Sequence, residues 1–83
     1  MTENSVVYTT KDVMEGIASI VVVYHDEDGD WQALDSDPNL ADPSLISIKN
    51  LLEIDSSIKE VLNMPKGYRA IKIDAEWIVS KDE

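Results

Sequence analysis

Asp26, Asp28 and Asp30 place three carboxylates at alternate positions, the odd-position oxygen spacing of a calcium loop. Around them, Tyr24 to Asp37 ("YHDEDGDWQALDSD") holds six carboxylates, the chain's only His and one of its two Trp, with neither Lys nor Arg. The calcium pattern is incomplete. An EF-hand loop needs Gly at its sixth position and a bidentate Glu at its twelfth. Counted from Asp26, those positions are Trp31 and Asp37, and Gly29 comes two places early. A calcium-responsive module on Asp26, Asp28 and Asp30 is therefore the alternative reading, and no metal site is assigned. One His and no Cys make a poor set of transition-metal ligands.

Catalysis finds still less support. Nucleophilic chemistry needs a nucleophile, a base within reach and an orienting group. His25 is the only His, and no Ser or Thr stands in a G-x-S-x-G context. Carboxylate pairs do acid–base work when burial splits their proton affinities. Acids around a hairpin tip are expected to stay solvated instead. The three Gly, at 16, 29 and 67, form no phosphate-binding loop. The sequence reads as no enzyme, without catalytic residues or cofactor. The expected role of His25 is to end a strand or pair with a neighbouring carboxylate. Trp31 and Trp77 are expected to pack in the core, each N–H finding one acceptor.

The elements that position these residues read as an α+β fold. "SVVYTT" (5–10) is β-branched and aromatic, as strands are. "IASIVVVYH" (17–25) is a near-continuous apolar run, expected to be a central strand buried on both faces. Asp28-Gly29 predicts a type I′ turn into the returning strand Asp30 to Asp35. A two-residue loop would set Glu27 opposite Asp30, a like-charge pair that a longer loop would relieve. The two Asp-Pro steps in 36–44 predict a connecting loop. "LISIKNLLEI" starts strand-like, then spaces Ile48, Leu51 and Leu52 as a helix capped by Ser47. Ser57 and Glu60 match a capping box for a second helix, ended by Pro65. "GYRAIKI" and "EWIVS" read as the last strands, with little turn chemistry between them. The expected architecture is a mostly antiparallel sheet of about five strands with one or two short helices packed on one face. At 83 residues the chain is expected to be a single domain, 1–83.

The charge distribution bounds the partners. Net charge is −10. Such a surface repels phosphate backbones and anionic headgroups, so neither nucleic acid nor membrane is expected as partner. The N-terminus has neither a basic segment nor a long apolar run, and cytoplasmic localisation is the expectation. The imbalance is local: between Lys11 and Lys49 stand nine acids and no Lys or Arg, whereas 49–83 carries six bases and seven acids. A field of one sign steers a cationic partner, while the commoner meaning of a charge run is a solubilising surface. A structural or housekeeping domain with no specific partner is the further alternative. The sequence leaves the oligomeric state open, although an exposed edge strand at "SVVYTT" or "EWIVS" would offer pairing to a second copy.

"VYHDEDGDWQ" (23–32), "MPKGYRA" (64–70) and the late Trp77 together resemble a family of small bacterial domains of unknown function, grouped with predicted immunity proteins of polymorphic toxin systems. The resemblance runs from the Ile17 strand to Trp77. Ala33 departs from the large apolar residue usual after the Gln, which is expected to thin the core beneath the hairpin. The resemblance brings no catalytic residues. It implies an acidic binding protein whose carboxylates occupy the basic cleft of a toxin. The partner-binding candidates are then Asp26, Glu27, Asp28, Asp30, Asp35 and Asp37, with Trp31 as an anchor if exposed.

Overall fold

A computed structural model describes residues 5–36 and 44–81. The elements run β1 (Val6–Thr9), α1 (Lys11–Met14), β2 (Val22–His25), β3 (Trp31–Leu34), β4 (Ser44–Ser47), α2 (Ile48–Ile54), a 3-10 helix (Ser56–Val61), β5 (Tyr68–Ile73) and β6 (Glu76–Lys81). One sheet of six strands has the order β4-β1-β3-β2-β5-β6. The sixth strand is β4, the strand-like start of "LISIKNLLEI". Every pairing is antiparallel except β1 with β3. That parallel pair arises because the chain passes from β1 through α1 and crosses to β2, whose hairpin partner β3 then fills the space beside β1.

Alternation along the strands sets the two faces. The registers align Ile46, Val7, Trp31 and Thr9, Ala33, Val23, Ala70 on one side. Val13 of α1, Ile48 and Leu51 of α2, and Ile58 and Val61 of the 3-10 helix join these residues in one buried cluster. All the helical segments therefore cover the same face. Val6, Tyr8, Leu45 and Ile78 belong to the other face and are exposed. The apolar run at 17–25 thus yields a strand of only four residues with one buried face. Ile17 is 71% exposed, and Gly16 ends α1 at φ +75°. Ala33 is fully buried in the centre of the sheet, and its carbonyl accepts a 2.6 Å bond from the Thr9 hydroxyl.

Ser47 caps α2 as its position predicts, its Oγ accepting from the Asn50 N–H at 3.1 Å. The second helical segment departs from expectation. Its cap is Asp55, whose Oδ1 accepts from the N–H and hydroxyl of Ser57, so Ser57 serves as a ligand of the cap and not as the cap itself. Ser57 Oγ in turn accepts from the Trp77 indole N–H at 3.0 Å. Trp77 is half-buried at the margin of the core, with Lys72 Nζ 5.4 Å from its ring centre and 3.6 Å from Asp55 Oδ2. Among the described residues no helix is long and apolar enough to cross a membrane.

Candidate functional site

The β2–β3 connection is a three-residue loop, Glu27–Gly29. Gly29 N–H donates to the Asp26 carbonyl at 2.9 Å, and Asp26 N–H donates to the Asp30 carbonyl at 2.8 Å. Gly29 takes φ +94°, and Asp28 does not enter the positive-φ region. This is the turn-plus-bulge form of a hairpin and not the two-residue type I′ turn expected from Asp28-Gly29. The added residue places Asp26, rather than Glu27, across from Asp30. The pair is bonded through its main chain, and the Asp26 carboxylate is turned to accept from Gln32 Nε2 at 2.8 Å.

Glu27, Asp28 and Asp30 are all exposed on this tip, while Asp26 is half-buried. Asp35 lies at the opposite end of β3. It is 6% exposed, and its Oδ2 accepts from the Thr10 hydroxyl at 2.9 Å. That contact joins the end of β3 to the start of α1, where the same Thr10 hydroxyl accepts from Val13 N–H. Asp35 therefore ties two elements together and takes no part in the tip surface. Trp31 is 4% exposed and lies in the core, so it offers no anchor. Asp37 lies outside the described residues. Of the seven candidates, four carboxylates converge at one end of the sheet.

The two segments "VYHDEDGDWQ" and "MPKGYRA" meet at His25. Its Nδ1 is 2.8 Å from the Met64 carbonyl, and its own carbonyl accepts from Gly67 N–H at 2.6 Å. A carbonyl oxygen only accepts, so Nδ1 carries the hydrogen of this contact. The ring stacks on Trp31 at 3.9 Å between centroids and 12° between planes. His25 thus clamps the loop before β5 onto the hairpin. Nothing in the sequence spacing marks this contact, because its partners are 39 residues apart. Lys66 and Gly67 are carried to the tip as a result. A methyl group at position 29 would meet Lys66 Cε at 3.4 Å and Nζ at 3.6 Å, and one at position 67 would meet Glu27 Cγ at 3.5 Å. Lys66 therefore borders the acids.

Beside the tip opens a cleft of about 620 Å³, lined by Ser5, Val6, His25, Gly29, Asp30, Trp31, Leu62, Asn63 and Met64. Its polar lining of hydroxyl, carboxylate, imidazole and amide is rich in acceptors, which suits a cationic or hydrogen-bond-donating group. Among the described residues no three His, Asp or Glu are grouped so as to hold a metal ion. No family model, curated protein or solved structure matches the chain.

Proposed function

We propose that this chain is a small non-catalytic binding protein that presents its hairpin acids to a basic protein, in the manner of an immunity protein neutralising a toxin. The observation that carries the reading is the exposure of Glu27, Asp28 and Asp30 together on one short turn. The turn is fixed by main-chain bonds and braced from below by the His25 clamp. A preformed acidic loop loses little freedom on docking, and its field hastens encounter with a basic surface. The adjoining cleft, with Asp30 on its wall, would receive one Lys or Arg side chain of that partner. The resemblance of the two clamped segments to immunity-type domains supports the toxin as the class of basic partner.

Co-expression with a candidate basic toxin tests the reading. Wild type should restore growth, and Glu27→Gln/Asp28→Asn/Asp30→Asn should not, although it folds. Equal protection by the neutralised variant contradicts the acidic-tip mechanism.

A further inference from the structure

Among the described residues, β6 ends the sheet, and no strand pairs with its outer edge along Trp77–Ser80. Its turn from β5, Asp74-Ala75, has φ +51° and +68°, the signature of a two-residue type I′ hairpin. The flanking residues Ile73 and Glu76 then form a hydrogen-bonded pair, and bonded pairs recur at Ile71–Ile78 and Arg69–Ser80. The main-chain groups of Trp77 and Val79 consequently point away from the sheet. This edge lacks the usual protections. Its register with β5 runs unbroken over six pairs, so no bulge interrupts it, and no Pro or charge falls within Trp77–Ser80. Ile78 and Val79, on opposite faces, are 48% and 47% exposed. The other edge, β4, has four residues and runs directly into α2.

We propose that β6 pairs antiparallel with β6 of a second copy, about a two-fold axis midway between the two Ile78 residues and normal to the sheet. Such an axis keeps the helix-covered face of both copies on the same side, so only residues of like face can stand opposite one another. Centring on Ile78 sets Ile78 against its own counterpart, and Trp77 against Val79 in both directions. Both exposed apolar residues are then covered by apolar neighbours, which favours the pairing. Centring on Val79 would set Ile78 against Ser80 and Trp77 against Lys81. Two short strands bury less than the ~800 Å² per partner of a standard interface, so the dimer is concentration-dependent. Each copy carries −10, so added salt strengthens the dimer by screening their repulsion. The acidic tip lies two strands away and remains open in both copies.

Analytical ultracentrifugation across a concentration series, together with cysteine trapping in this cysteine-free chain, tests the pairing. The mass should rise from 9.3 kDa towards twice that value with concentration and salt. Ile78→Cys should form a disulfide dimer at least about tenfold faster than Ile17→Cys, because a non-hydrogen-bonded pair sets its Cα atoms ~4.5 Å apart, within disulfide range. Ile78→Lys, which sets two ammonium groups opposite each other, should stay folded and monomeric. A single species of 9.3 kDa at every concentration overturns the proposal. So does trapping at 78 no faster than at 17, or faster trapping through Val79→Cys.

Discussion

Asp35 and Asp28 carry the same group and do different work, because one is buried against a hydroxyl and the other faces water. Removing the buried one leaves the Thr10 hydroxyl without that acceptor, a loss worth about 1–3 kcal/mol. Asp35→Ala should therefore lower stability by that amount in urea denaturation and leave affinity for a basic probe unchanged. Lys66 tests the tip from the other side. Its ammonium borders Gly29 and offsets part of the acidic field. Lys66→Gln should tighten binding of an arginine-rich peptide by about threefold in fluorescence titration, a value within the range of one exposed ion pair. Weaker binding would mean that Lys66 itself contacts the ligand or holds the loop. None of this was legible in the residues alone. Six carboxylates in fourteen positions look equivalent until Thr10, 25 residues from Asp35, claims one of them.

At the scale of elements, local patterns were readable where local physics decides. The β2–β3 hairpin follows from its apolar strands and Asp-Gly, and α2 from its spacing and the Ser47 cap. Readings failed where a neighbour distant in sequence decided. The loop took a third residue, which keeps Glu27 from facing Asp30. Asp55 displaced Ser57 as a cap, freeing the Ser57 hydroxyl to accept from Trp77. "SVVYTT" lies inside the sheet, while "EWIVS" forms its edge. The turn before β6 gave no signal because Ala75 has no preference for the left-handed region it occupies at φ +68°. That conformation costs an L-residue roughly 1–2 kcal/mol, against which glycine's entropy loss is smaller. Ala75→Gly should thus stabilise the chain by about 0.5–1 kcal/mol in thermal or urea unfolding. A loss of stability would show that the Ala75 methyl makes a contact outweighing the strain.

Over the whole molecule, the described acids of the base-free run from Asp12 to Ile48 do not form one anionic face. β1 and β3 run the same way, so Asp12, Glu15 and Asp35 gather at the end of the sheet far from the hairpin tip. Asp74 follows β5 to that far end as well. Among the described residues, the proposed surface for a cationic partner is therefore the tip, with Asp26, Glu27, Asp28 and Asp30. Net charge and local charge make separable predictions on this arrangement. Long-range attraction depends on the total, whereas contact depends on which carboxylates are present within a Debye length.

The most direct measurement compares two charge-matched variants in binding an arginine-rich peptide by isothermal titration at physiological salt. Glu27→Gln/Asp28→Asn/Asp30→Asn neutralises the tip, and Asp12→Asn/Glu15→Gln/Asp74→Asn neutralises the far end, each leaving a net charge of −7. The tip variant should lose at least about tenfold in affinity, roughly 1.4 kcal/mol, and the far-end variant less than about threefold. Equal losses in the two would contradict a localised site and leave only the molecule's overall charge to explain the attraction.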